Sequence, residues 1–562
     1  MMGISKGVML RFSDLFNDRP PDPRNLLDGL SENTLLKIGP SLIAYDWRDE
    51  CKSNPVSIFI HFLGKDHPEL GPILARFRRL DQKINWRIVN PFASLTLFQD
   101  LVEKGHSQGE LDSNTVNFNI LLYYLLINEL MVSTYDTKVL ESTENIVPMG
   151  VKGAAMYLSQ SLRDNDFTNY SIEGIFGASL IKSFKFFEFI ERDDFLKPHL
   201  QGILENYNIE TWRQYLFQLI GIIQFAINQP SPAHFIKISF DPIQANSLLF
   251  EDFYFKGKEH EDVDFVTLRS KPLIREGESS FIIVFDLFLA EKLFKGIYWL
   301  FKSRMPDKQS HDILKQKVSF DFSEKSLTYD VLDRIFATHF NVHGEDIKIK
   351  GFTDYYSRKG SEILLFESKD VLINKLIKSS GDWEQIEADL KLKFLVNKKG
   401  ERKAIRELLQ SVKLVLSNSA QIDPNLENLD KLVFYPIIIV HDRVFDLIGL
   451  NTILNYWMYQ EMESDNECSP IKNRIRGVTL INIDTLIVNA DVIRENPEIF
   501  LKSIRKLQDD YRIYASPLRL PISEDQVYQA LYPFSWCLEE QIPENTKRSP
   551  KDFLETAMRL FD

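Results

Sequence analysis

Along residues 1–230 the apolar positions recur mostly at helical spacing. In "IFGASLIKSFKFFEFIERDDF", Ile175, Leu180, Phe184, Phe187 and Ile190 fall three to five apart, which predicts a helix buried along one face. Two other stretches, "ILLYYLLI" (Ile120 to Ile127) and "YLFQLIGIIQFAI" (Tyr215 to Ile227), are apolar nearly throughout. Both are shorter than the ~18–20 residues that span a bilayer, so they predict core helices and no membrane association. From Ala233 to about Phe265 the pattern shortens and turns aromatic, and "SSFIIVFDLFLAEKLFKGIYWLF" then reads as a strand running into a helix. A boundary is expected at "SRMPDKQS", where Pro306 interrupts a polar run.

Beyond that boundary the order changes. A helix is predicted over "TYDVLDRIFATHF" (Thr328 to Phe340), short strands between Asp346 and Lys369, and a charged helical stretch to about Leu416. A strong strand, "KLVFYPIIIV" (Lys431 to Val440), and the helix "LNTILNYWMYQEM", with Asn451 as its expected N-cap, follow. Past "ESDNECSP", "VTLINIDTLIV" reads as a strand and the remainder as helices, the last opening at Ser549 and Pro550. The expected organisation is a mainly α-helical region (1–230), a mixed connecting region (231–310), an α/β domain with a mixed sheet flanked by helices (311–462), and a C-terminal α/β extension (463–562).

One strand ends unusually. In "GFTDYYSRKGSEILLFESKD" the apolar run from Ile363 to Phe366 leads directly into Glu367 and Lys369. "KGSE" predicts a two-residue hairpin with Gly360 in the first central position, as a type II′ turn requires. That register sets Asp354 opposite Glu367, with Cβ atoms roughly 5 Å apart. Lys369 points to the same face about 7 Å further along. Two carboxylates so close repel each other unless a proton or cation joins them, and oxygen-only donors suit Mg²⁺ or Mn²⁺. A metal there, with a lysine beside it, fits phosphodiester hydrolysis.

Length, charge and cysteines change this picture only at the margins. At 562 residues the chain exceeds one ordinary core, and its formal charge of −13 excludes a generally cationic coat without excluding a local basic channel. Cys51, Cys468 and Cys537 are too dispersed for a zinc site or a disulfide framework, which fits a reducing cytoplasm. Nor does the N-terminal stretch "MMGISKGVMLRFSDLF" carry an apolar signal core.

An acid, a short hairpin, apolar residues and then Glu-x-Lys resemble the PD-(D/E)XK nuclease superfamily, whose core is helix, three strands, helix, strand. The resemblance covers roughly Ser319 to Met462. It implies a Mg²⁺- or Mn²⁺-dependent endonuclease acting on DNA, with Asp354 and Glu367 as metal ligands, the main-chain carbonyl of Ser368 assisting, and Lys369 as the catalytic lysine. An acid from the preceding helix, Asp330 or Asp333, would join them. Thr353 stands where the family name has proline. In "KAIRELLQSV", Ala404 and Glu407 stand where many relatives carry glycine and glutamine. The last strand also resembles bacterial members associated with mobile elements or anti-phage defence.

Acid-x-Lys alone also occurs at Asp81, Asp136, Asp346, Asp389 and Glu401, so only the full arrangement at Glu367 carries information. The plainer alternative is a cross-strand salt bridge at a sheet end, or a catalytically inactive module of the same fold that binds nucleic acid or protein. Lys398, Lys399 and Lys403 belong to a basic run that either holds a phosphate backbone or is simply solvated. "HD" at His441 and Asp442 reads as a strand-to-loop exit. The helical remainder carries no chemical motif and is expected to restrain or direct the activity through a protein partner or self-association.

Overall fold

The computed structural model describes residues 7–30, 54–104, 112–146, 148–168, 171–228, 237–239, 252–255, 262–515 and 531–546, together with 552 and 555. Cys51 and the helix start at Ser549 and Pro550 lie outside these residues. The architecture mixes helix and sheet, with helices dominating the N-terminal half. Contacts divide the chain into two compact units, one of residues 1–137, 167–172 and 201–298, the other of residues 138–166, 173–200 and 299–562.

The first unit is built on the helices Pro55–Leu63, Pro91–Lys104, Ser113–Leu130 and Trp212–Asn228. The helical stretch Ser113–Thr143 is long and apolar enough to cross a membrane by length and composition alone. Half of its most apolar window is buried inside the protein, and Leu121, Tyr123, Tyr124 and Leu125 are inaccessible, which is how a core helix behaves. Leu216, Leu219 and Ile223 on Trp212–Asn228 are buried as well.

In the second unit, helix α1 runs through three consecutive segments: Lys308–Gln316, the π-helical Lys317–Thr328, and Tyr329–Ile335. Asp307 caps it by accepting the Ser310 N–H. Strands β1 (Phe340–His343), β2 (Tyr355–Lys359) and β3 (Glu362–Lys369) then form an antiparallel meander. Helices α2 (Trp383–Phe394) and α3 (Ala404–Ser417) cross over to β4 (Val433–Val440), which pairs in parallel with β3. Helix α4 (Leu450–Ser464) leads to β5 (Thr479–Asn482), parallel to β4. The sheet order is β5-β4-β3-β2-β1.

β3 therefore lies central, with antiparallel β2 on one side and parallel β4 on the other. Residues Ile363 to Ser368 are buried on both faces, as a covered strand of this kind requires. Gly360 turns the hairpin at φ 62°, and Ser361 keeps a negative φ, as a type II′ turn demands. The observed pairs Tyr355↔Phe366 and Lys359↔Glu362 carry the expected register.

Three expected elements differ. The helix expected over Thr328 to Phe340 is the end of α1, which opens at Lys308 and closes at Ile335, and Phe340 already belongs to β1. Asn451 does not cap α4; Gly449, in the left-handed region at φ 82°, precedes the helix, and the Asn451 side chain instead accepts the Leu480 N–H inside the core. "VTLINIDTLIV" is strand only to Asn482, whose side chain accepts the Asp484 N–H and starts the helix Ile483–Glu495. An N-cap inside an apolar run overrides the strand pattern.

Candidate active site

The end of β3 brings the charges together. Asp354 lies one residue before β2, beside the Tyr355↔Phe366 pair, and continuing that register by one pair sets it against Glu367, on which it acts electrostatically. The Ser368 N–H donates to Asp354 Oδ2 at 2.8 Å. Lys369 Nζ donates to Glu367 Oε2 at 2.9 Å and lies 2.8 Å from Glu407 Oε2.

Side chains alternate along β3, so Glu367 and Lys369 face α3, which supplies Glu407, while Ser368 faces α1. Lys369 pairs with Val440, the last residue of β4. The cluster thus lies at the carboxyl ends of two parallel strands, the usual position of ligand sites in such sheets.

Thr353 explains how Asp354 is aimed without proline. Its buried hydroxyl donates to the Phe366 carbonyl at 2.5 Å, tying the segment before β2 to β3. Gly344 lets this segment come close: a Cβ there would collide with the Thr353 carbonyl oxygen.

The electrostatics are dominated by burial. Loss of solvent raises Glu367 well above the ordinary glutamate range, and neighbouring Asp354 raises it further. Asp354 is raised by the same desolvation, against the pull of Lys369. For Lys369 burial opposes the charge, yet Glu367, Asp354 and Glu407 together more than offset it and hold the ammonium protonated.

A fourth acid was not anticipated. Glu324, in the π-helical part of α1, is pushed up to about 7 by burial and by Asp354. Its Oε1 lies 3.4 Å from the Tyr329 hydroxyl. The residues expected in this place are engaged elsewhere: Asp330 pairs with Lys185 at 2.8 Å, and Asp333 bonds His343 at 3.0 Å and the Tyr355 hydroxyl at 2.8 Å.

Residues flanking Glu324 hold residues flanking Lys369. Ser323 Oγ donates to Asp370 Oδ2 at 2.8 Å. His441 Nε2 lies 2.9 Å from Ser368 Oγ and 3.5 Å from Thr328 Oγ1. His441 is indeed the exit from β4, but its half-buried ring also braces Ser368; desolvation lowers its pKa and favours the neutral ring.

The basic run divides in two. Lys391 pairs with Glu387, Lys393 with Asp389, and Arg406 with Glu461. Lys398 and Lys399 are exposed in the turn closed by the Val396↔Arg402 bridge, and Lys403 precedes α3. None of these three makes an ion pair among the described residues.

Glu367, Asp354 and Glu407 thus act on the ammonium of Lys369, and Glu324 feels both Asp354 and Lys369, so carboxyls outnumber the lysine at this end of the sheet. Among the described residues no group of three or more His, Cys, Asp or Glu side chains is arranged to hold a metal. The set the resemblance implies, Asp354, Glu367 and the Ser368 carbonyl, contains two acidic side chains. Magnesium accepts such a set, since it commonly keeps several waters and takes one or two carboxylates. Comparison with family models, curated proteins and solved structures finds no significant match to this chain.

Proposed function

We propose that the second unit is a PD-(D/E)XK-type nuclease that hydrolyses DNA phosphodiester bonds with Mg²⁺ or Mn²⁺. The observation that carries this reading is the desolvated Asp354–Glu367 pair with Lys369 beside it at the strand ends. A surface salt bridge would not gather four acids around one lysine, because like charges disfavour each other before the lysine helps.

A divalent ion held by Asp354, Glu367 and the Ser368 carbonyl would polarise the scissile phosphate and acidify a water. The chain's own groups complete the chemistry. Ser368 N–H fixes the Asp354 carboxylate. Lys369, held protonated by its acidic neighbours, supplies positive charge where negative charge grows on the phosphoryl oxygens. Glu324, pushed up to about 7 by burial and by Asp354, would be the group to accept the proton of the attacking water. The basic turn at Lys398, Lys399 and Lys403 would hold the backbone of the same DNA.

Incubating the full chain with plasmid and linear DNA in Mg²⁺, Mn²⁺ or EDTA tests the reading. Metal-dependent cleavage supports it; binding without cleavage under every condition favours the inactive-module alternative.

A further inference from the structure

Within residues 311–462, four large apolar side chains are at least half exposed: Phe320 (56%), Leu372 (56%), Leu376 (63%) and Tyr459 (51%). The Tyr459 ring has a partner, with Lys472 Nζ 6.0 Å from its centroid. The other three all lie on the two chain segments that carry the site. Phe320 precedes Glu324 by four residues on α1, and Leu372 and Leu376 follow Lys369 by three and seven. The Ser323–Asp370 hydrogen bond joins these segments, with Phe320 three residues before Ser323 and Leu372 two residues after Asp370. Single exposed apolar residues are ordinary, but Phe320 and Leu372 each stand within three residues of the hydrogen bond that ties the two site-bearing segments together, which points to something that covers them.

Cations border the site from another element. Lys403, extended at the N-cap of α3, stands four residues before Glu407, and Lys398 and Lys399 occupy the turn just ahead. Unpaired cations on α3's side and an apolar rim on α1's side match a strand whose phosphates and bases present different chemistry to the two. In a duplex the base faces are stacked away, and a Phe or Leu rim would meet only sugar and phosphate. In an unpaired strand those faces are open, and stacking on an aromatic side chain is favourable for any base.

Resting on the nuclease reading, we infer that the site takes single-stranded DNA, its backbone along Lys398, Lys399 and Lys403 and its unpaired bases on Phe320, Leu372 and Leu376. The rim side chains are solvent-facing, so replacing them leaves the core intact.

The test is fluorescence anisotropy of the full chain in EDTA, with a labelled oligothymidylate and a hairpin duplex of equal length. The wild type binds the single strand about tenfold more tightly or better, and Phe320→Ala with Leu372→Ser removes about tenfold of that affinity while leaving duplex binding within about twofold. Equal wild-type affinity for the two DNAs, or an unchanged single-strand affinity in the double variant, overturns the inference and leaves the rim to a protein. Cleavage in Mg²⁺ is scored separately: single-strand preference without cleavage would sink the nuclease reading and leave this one standing, whereas absence of binding to either DNA would sink both.

Discussion

Asp354, in the bend just before β2, and Glu367, near the end of β3, act on each other electrostatically, and burial pushes both above the ordinary carboxylate range. Such a pair works against the metal-free fold. Asp354→Asn or Glu367→Gln is therefore expected to raise the melting temperature in EDTA by about 2 °C or more. The amide removes the repulsion, and in the Asp354→Asn variant its oxygen can still accept the Ser368 N–H. Differential scanning calorimetry checks this, and a clear loss of stability in both variants would support a stabilising salt bridge instead.

The same pKa shifts set a pH dependence. Glu324 rises from the ordinary 4.5 to about 7, and Asp354 and Glu367 also rise, so the folded state holds these protons more tightly than the unfolded chain. Their contribution to stability is most favourable below the unfolded pKa and declines as pH rises through the folded values. Lys369, raised above an already high pKa, contributes a constant term across this range. These acids should lower the melting temperature of the metal-free protein at pH 7.5 relative to pH 5, against the opposite contribution of His339 and His441, whose pKa values burial lowers, and Glu324→Gln should shift the pH 5 to 7.5 difference in favour of pH 7.5. Added Mn²⁺ should raise the melting temperature more at pH 7.5 than at pH 5, since binding must displace those protons.

Reversing Lys398, Lys399 and Lys403 to Glu should weaken DNA binding for all sequences alike. If each contacts one phosphate, the slope of log affinity against log salt flattens by roughly 2–3. Binding measured between low and moderate salt decides it, and an unchanged slope would show a merely solvated turn.

Much of the site was legible because a hairpin is a local device. Gly360 fixes the turn, the turn fixes the register, and the register sets Asp354 against Glu367. Glu324 was not legible, because the helix was expected to open only at Thr328 and the π-helical stretch before it shifts which residues share a face. His441 was read as a loop exit since its partner, Ser368, lies 73 positions away, beyond the reach of periodicity. Glu407 was read as a departure from the pattern; in the fold it is the second acid on Lys369. Asn451 shows the limit of capping rules, its side chain being taken by a distant backbone amide.

The second unit also draws on earlier segments of the chain. Lys378 forms a buried pair with Asp166 at 3.0 Å, the Trp383 N–H donates to Ser142 Oγ, and a Cβ on Gly449 would lie 2.7 Å from the Ala154 carbonyl oxygen. A truncated chain beginning at His311 is accordingly expected to be insoluble, because it loses the segments that pack on Lys378, Trp383 and Gly449. Soluble expression with a cooperative melt would show that residues 138–166 and 173–200 are dispensable.

The central claim is that Glu367 and Lys369 perform metal-dependent phosphodiester hydrolysis. Its most direct test is single-stranded and plasmid DNA cleavage in Mn²⁺ by the wild type, Glu367→Gln and Lys369→Met, with melting curves recorded in parallel. Cleavage by the wild type that EDTA abolishes, and that falls about 100-fold or more in both variants while each still melts cooperatively, is the predicted result. Cleavage retained at the wild-type rate in both folded variants would contradict it.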